Sequence, residues 1–360
     1  EIKPELQDAL GVDVVSLTAP RTMFGFPNEG WKPWTFFDGT PLLVPSGFNT
    51  DPESDGQLLM YPEGDKFVPP SGRMPHEGWY FDTIIRQEPI DDDKLNPEDN
   101  LEEFKHISDA DLAYFAERAK HLYETTDKAI LADFGGTGLG DVALVPAPWL
   151  RNPPKGIRDI EEWYMSTAMR QDYVYEVFSR QSEISLHNLE KLYEVVGDRI
   201  TAVFLTGADF GMQRCLLISP KTYRKLFKPF HAKLNAWVHT NTKWKTFMHS
   251  CGSVVDLIDD FIDAGFDALN PVQCSATGME PQGLKDRFGE RITFWGGGVD
   301  TQKTLPVGTP DEVRVEVQER LKIFGAGGGY VFNTIHNVQP QTPIENVLAM
   351  YETVRKYRDY

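Results

Sequence analysis

Sulfur and positive charge are both scarce in this chain. It has three cysteines in 360 residues, and 36 Lys and Arg against 54 Asp and Glu, for a formal charge of −18. Cys215, Cys251 and Cys274 form an odd set in a long chain. That argues against a disulfide framework and fits free thiols or metal ligands in a reducing cytoplasm. The deficit of basic residues argues against a nucleic-acid partner, which asks for a basic face. No apolar run is long enough to cross a membrane, and there is no signal-peptide pattern, so a cytoplasmic protein is expected. No Gly-x-Gly-x-x-Gly follows the first expected strand, and "GGTGLGD" (135–141) lacks the Lys-Ser/Thr of a P-loop. The two "GGG" groups, 296–298 and 327–329, read as tight turns and close backbone approach rather than as a nucleotide cradle.

What is present is an alternation. Short β-branched or aromatic runs stand at "VDVVSL" (12–17), "AILADFG" (129–135), "TAVFLTGAD" (201–209), "KTFMHSCG" (245–252), "DALNPVQC" (267–274), "ITFWGGG" (292–298) and "GYVFNTIH" (329–336). Helical patterns separate them, over 109–126, 219–242, 309–325 and 342–357, and each opens on an Asp, Ser or Thr cap signal. Repeated strand–helix alternation predicts parallel strands and an α/β fold. Seven such units are one short of a (β/α)₈ TIM barrel, and the numbering opens on Glu1, so a first strand upstream would complete it. The whole chain, 1–360, is expected to form one such domain.

Residues 20–90 differ. They are rich in Trp, Phe, Gly and Pro and predict β-hairpins and ordered loops. Two readings stand side by side: an aromatic-stapled surface excursion, or a lid that turns Trp31, Trp34, Phe36 or Phe37 toward a ligand. The acidic run "PIDDDKLNPEDNLEEF" (89–104) is expected to be a solvated loop and helix start.

In a barrel the carboxyl ends of the strands share the face that carries chemistry. Those ends supply Asp209 and Gln213, His249 and Cys251, Asn270, Gln273 and Cys274, Trp295, Asp300, Asn333, His336 and Asn337. In "FMHSCGS" (247–253) strand alternation points His249 and Cys251 the same way and Ser250 away. An imidazole beside a thiolate suits zinc or another soft metal, although a buried His and Cys are also ordinary core residues. The candidate metal ligands are His249 and Cys251, with Cys274 or His336 as the third and one position left open. Gln213, Asn270, Gln273, Trp295 and Asn333 are candidate substrate-binding groups. Asp209 is a candidate for a proton or supporting role, or else a helix cap before "FGMQRCLLISP".

The second half of the chain resembles the uroporphyrinogen decarboxylase superfamily. The matching stretches are "LISPKTYRKLFKPF" (217–230), "MHSCGSVVDLIDDFIDAGFDALNPVQ" (248–273), "LKDRFGERITFWGGGVDTQKTLP" (284–306) and "NVQPQTPIENVLAMYE" (337–352), with "TGADFGMQ" (206–213) also fitting. That superfamily contains porphyrin decarboxylases and zinc-dependent, corrinoid-linked methyltransferases. An Arg-rich "RQAGR"-type signature of the decarboxylases is absent from this chain. His249-x-Cys251 is similar to the methyltransferase motif, whose third ligand, a Cys, sits four residues before the Pro of a P-x-T-P segment. Here "HNVQPQTP" places His336 there. The resemblance implies one zinc ion with three protein ligands and a corrinoid carried by a partner protein. It also implies methyl transfer from a small methylated substrate, with a methoxylated aromatic favoured. Alternatives are a methylcorrinoid:thiol methyltransferase of the coenzyme M type, a metal-free decarboxylase, or a non-enzymatic corrinoid- or porphyrin-binding scaffold. Expected partners are therefore a corrinoid protein and a small substrate, not nucleic acid or membrane, with homodimerisation left open.

Overall fold

Runs rich in β-branched and aromatic residues, set between turn signals, form a parallel sheet here. The computed structural model describes residues 3–358. The chain divides into two compact units. One contains the chain up to Leu17, Ala116–Leu139 and everything from Leu192 onward; the other contains Thr18–Phe115 and Gly140–Lys191.

The first unit carries β1 (Val14–Leu17), β2 (Ala129–Ala132), β3 (Ala202–Thr206), β4 (Lys245–His249), β5 (Ala268–Asn270), β6 (Thr293–Trp295) and β7 (Tyr330–Val331), side by side in that order. Every pairing between them is parallel. The sheet curls into part of a barrel, so the expected (β/α) barrel class holds, with seven strands among the described residues. Strands sandwiched between layers read as continuous apolar runs, as Ala202–Thr206 and Thr246–Met248 do. The helices Pro310–Gly325 and Ile344–Tyr357 pack through Val313, Val317, Leu321, Ala349 and Met350, all buried. Among the described residues no helix is long and apolar enough to cross a membrane.

Element boundaries correct several expectations. The run 267–274 is strand only to Asn270, because Pro271 has no N–H for the ladder and Val272 turns at φ 58°. The run 329–336 is strand only at Tyr330–Val331. Cys274, Asn333 and His336 therefore sit on loops, not on strands. The helix expected over 219–242 is two, Pro220–Leu226 and Lys228–Asn241. Pro229 cannot donate back to Lys225, and the chain turns at Phe227. Ser219 caps the first of them by accepting from the Thr222 N–H at 3.0 Å. Thr309 and Glu312 form a reciprocal capping box at the start of Pro310–Gly325. Thr342 caps nothing: its hydroxyl donates to the Gln339 carbonyl, and the last helix starts after Pro343.

The second unit contains the expected hairpins. Lys32–Thr35 pairs antiparallel with Pro41–Val44, and Leu58–Met60, Gly72–Met74 and Asp82–Thr83 make a three-stranded sheet. The first turn is "DGT": Gly39 takes φ 89° and Asp38 accepts from the Thr40 N–H at 2.9 Å. Trp34, Phe36, Phe37, Phe48 and Trp79 stack on one another with ring centroids 4.6–5.4 Å apart. Helix Ile160–Met169, capped by Asp159, follows, and the unit ends at Lys191, within the helix Gln171–Val196.

The acidic run is not simply solvated. It holds two short 3₁₀ turns, Asp92–Lys94 and Pro97–Asn100, and its carboxylates meet arginines from the later helical segment. Arg170 pairs with Asp92, Arg180 with Glu98, and Arg158 with Glu103. The Arg158 side chain is 0% exposed and Glu103 is 5% exposed. Arg158 spends its donors on both Glu103 oxygens and on the carbonyls of Asp99, Lys155 and Val145. Removing one member of such a pair strands the other charge in a low-dielectric interior, at a cost of about 3–5 kcal/mol, whereas replacing both is far milder. Arg158→Met is therefore expected to lower the stability of the full chain by about that amount in urea titration. Arg158→Met with Glu103→Leu should recover most of the loss; a double variant no better than the single would contradict this account of the pair.

Candidate metal centre

His249 is the last residue of β4, and its imidazole lies 3.2 Å from the Cys251 sulfur, measured from Nε2 to Sγ. The strand ends two residues earlier than alternation alone supposes, so Cys251 stands on the loop that follows. Ser250 does point away: it is buried, and its hydroxyl accepts from the Phe210 N–H at 3.0 Å. The His249 Nδ1 meets Asn270 Oδ1 at 2.6 Å, and the Asn270 Nδ2 donates to the Trp295 carbonyl at 2.8 Å.

The Cys251 loop is held through its backbone. Asp209 Oδ1 accepts from the Cys251 N–H at 2.7 Å, and Gln273 Oε1 accepts from the Gly252 N–H at 2.9 Å. Gln273 in turn donates to Gln213, which donates to the Ser275 carbonyl. Two of the expected substrate-binding residues thus tie loops together, and Asp209 fixes the Cys251 amide; the helix that follows takes its cap from Ser219. Gly252 has φ 85°, and a Cβ there would stand 2.5 Å from the Gly211 carbonyl carbon. Only glycine permits both that φ and that approach. Gly211, Ser250 and Gly252 are the supports that sequence reasoning missed. The glycine next to Cys251 was the one visible signal.

His336 completes the cluster. One ligand atom from each of His249, Cys251 and His336 lies within 4.8 Å of the others. Burial, then the neighbouring His249, lowers the His336 pKa, while burial followed by the Asp209 charge pushes the Cys251 thiol up to about 12. Cys274 is not part of this group. Its Sγ faces the Val272 carbonyl at 3.3 Å, and burial pushes that thiol also up to about 12. One soft sulfur and two borderline imidazole nitrogens, close enough to share one ion, are a donor set suited to zinc, and poorly suited to a hard oxygen-seeking cation.

The remaining expected residues fall as follows. The Trp295 ring packs edge-on against Phe247 at 5.1 Å, beneath His249 on β4. Asn333 is exposed, and its carbonyl accepts from the Gly298 N–H. Asp300 is buried and accepts from the Gln302 and Lys303 amides. The "GGG" at 296–298 gives the expected close approach: a Cβ on Gly296 would stand 2.0 Å from the Pro271 carbonyl oxygen. Trp34 and Phe36 lie in the aromatic stack of the second unit, and Trp31, in the same unit, is 47% exposed.

Gly252→Ala is expected to destabilise the chain by at least ~1–3 kcal/mol, the cost of strained backbone before the steric overlap is added. Gly283, inside the helix Pro281–Phe288, has open space where a methyl group on its Cα would project, with nothing within 4 Å. Gly283→Ala should therefore be neutral or stabilising by about 0.5–1 kcal/mol. Thermal melts of the two variants should move in opposite directions, and equal melting temperatures would refute the steric argument.

Comparison with known proteins agrees with this architecture. A uroporphyrinogen decarboxylase of Coxiella burnetii is 25% identical over 174 residues, covering 47% of this chain and 46% of that protein. A methylcobamide:CoM methyltransferase, MtaA, of Methanosarcina barkeri is 28% identical over 141 residues, covering 39% of this chain and 38% of that protein. The matches thus span about half the length, or less, of these curated relatives. A solved methyltransferase from Methanosarcina mazei shares the fold, with a TM-score of 0.55 at 17% identity over 98% of this chain and 82% of that one. The model of the uroporphyrinogen decarboxylase (URO-D) family matches residues 145–357, well over half of the sequence, and the chain belongs to that family.

Proposed function

We propose that the protein is a zinc-dependent methyltransferase that moves a methyl group from a small methylated compound to the cobalt of a corrinoid protein. The observation that carries this reading is the convergence of His249, Cys251 and His336 within 4.8 Å. It is supported by the likeness to MtaA, a methylcobamide:CoM methyltransferase, and by the family's fold. The reading takes His336 rather than Cys274 as the third ligand. When bound, zinc supplies Lewis acidity toward the leaving heteroatom of the substrate.

The chain's own residues do the rest. Cys251 would contribute the one negative donor once a bound metal displaces its thiol proton, and its loop is pinned by the Asp209 carboxylate through the Cys251 amide. His249 and His336 are neutral donors, so this set leaves more of a divalent charge uncompensated than a two-thiolate set does. Stronger residual charge favours activation of an ether oxygen, and a methoxylated aromatic is therefore the preferred substrate class.

Metal analysis tests the first half. Purified protein is expected to hold about one zinc per chain, with one sulfur neighbour by zinc-edge absorption. Cys251→Ala, His249→Ala and His336→Ala should each bring zinc below a tenth of that, and Cys274→Ser should retain it. Two sulfur neighbours would transfer the third ligand to Cys274, against this reading. A reconstituted assay with reduced corrinoid protein tests the second half, using methoxylated aromatics, methylated amines and methylated thiols. Demethylation of an aromatic ether supports the proposal. Methylation of an added thiol instead points to the coenzyme M type of reaction. Carbon dioxide released from a porphyrinogen without any corrinoid would overturn it in favour of a decarboxylase.

A further inference from the structure

Three neighbouring strand ends are linked through one amide side chain. His249 and Asn270 are register partners on β4 and β5, and the Ser250 N–H donates to the Asn270 carbonyl at 2.8 Å, so the backbones are bonded where the side chains meet. An amide oxygen only accepts, so the 2.6 Å contact makes His249 Nδ1 the donor to Asn270 Oδ1. In a neutral ring the other nitrogen then carries a lone pair. That nitrogen is Nε2, the atom 3.2 Å from Cys251 Sγ. The Asn270 amide is itself held the right way round: its Nδ2 donates to the Trp295 carbonyl at the end of β6, and a flipped amide would set oxygen against oxygen there. With 8% of its surface exposed and both ends of its amide engaged, Asn270 has little left to offer a substrate.

We propose that Asn270 is a positioning residue that locks His249 in the tautomer presenting its Nε2 lone pair to Cys251 and His336. The consequence for metal affinity rests on the function proposed above, whereas the tautomer does not. An imidazole free to choose would also populate the Nε2–H form, which cannot ligate through that nitrogen until it loses the proton. Partners that orient a ligating histidine in this way typically control affinity by about 10–100-fold.

The test uses the full chain with ¹⁵N-labelled histidine, first stripped of metal. Two-bond ¹H–¹⁵N spectra should show His249 with a protonated Nδ1 and an unprotonated Nε2. Asn270→Leu, similar in volume but without acceptor or donor, should lose that signature. Asn270→Asp, which keeps the acceptor, should hold it. In chelator competition, zinc affinity should fall about 10–100-fold in Asn270→Leu and stay within a few-fold of wild type in Asn270→Asp. Circular dichroism and melting temperature establish that each variant is folded. An Nε2–H tautomer in the wild-type spectrum overturns the proposal whether or not either variant folds. So does an Asn270→Leu protein with wild-type spectrum and affinity, or an Asn270→Asp protein that melts at the wild-type temperature, and so tolerates an oxygen against the Trp295 carbonyl, yet is as weak as Asn270→Leu. A wild-type protein that binds no zinc defeats the metal reading instead, and the metal-free spectrum then decides the tautomer alone.

Discussion

The parallel ladder between β4 and β5, in register at His249 and Asn270, is the constraint on which the candidate centre depends. Parallel strands in consecutive order bring their carboxyl ends to one edge, so a single backbone alignment sets His249, Asn270 and Trp295 side by side. A one-residue slip in that register would turn His249 to the opposite face of the sheet. Phe247 of β4 packs against Phe204 of β3 and Trp295 of β6, so a slip of β4 would also break apolar packing. Core and site therefore enforce the same alignment.

Cys251 depends on a second constraint, the crossing of two loops at glycine. Gly211 and Gly252 approach so closely that neither accommodates a Cβ. This closeness is what lets the Met212 carbonyl accept from the Ser253 N–H at 2.8 Å and Asp209 reach the Cys251 amide. The sulfur is thus positioned by main-chain bonds, which do not rely on the rotamer of any long side chain. His336 is placed differently. It comes from the loop after β7, where Thr334 donates to its carbonyl and Gly298 donates to Asn333.

Much of this was legible in the sequence. The seven strand runs, the capping signals at Ser219 and Thr309, and the His-x-Cys pair all follow from local patterns, and each is found. The hairpins between residues 32 and 83 were legible from Gly and Asp at the turn positions. The choice between Cys274 and His336 was not, because both lie on loops whose paths no periodicity describes. The break at Phe227 was signalled by Pro229, yet the unbroken apolar spacing on either side concealed it. The pairing of Glu103 with Arg158 spans 55 residues, and nothing local distinguishes Glu103 from its acidic neighbours. The residue set for the site came from strand ends, but the roles of Gln213, Gln273 and Asn270 needed hydrogen-bond partners to become visible.

Arg158 and the His249–Cys251–His336 group treat their polar atoms in opposite ways: the first is fully buried, while the second is half-buried at His249 and Cys251 and exposed at His336. The guanidinium is surrounded by acceptors from Glu103 and three carbonyls, so its desolvation is repaid inside the protein. At the cluster, three donors instead converge on one another. The sulfur and the Nε2 of His249 share a single 3.2 Å contact, and the His336 ring stands 6.3 Å from that of His249, centroid to centroid. A group that must bind an electrophilic ion has the reverse requirement: its lone pairs must be left uncommitted and pointed at a shared position. Asn270 and Asp209 meet that requirement by taking up the Nδ1 of His249 and the amide of Cys251, the two neighbouring polar atoms that would otherwise compete for those lone pairs.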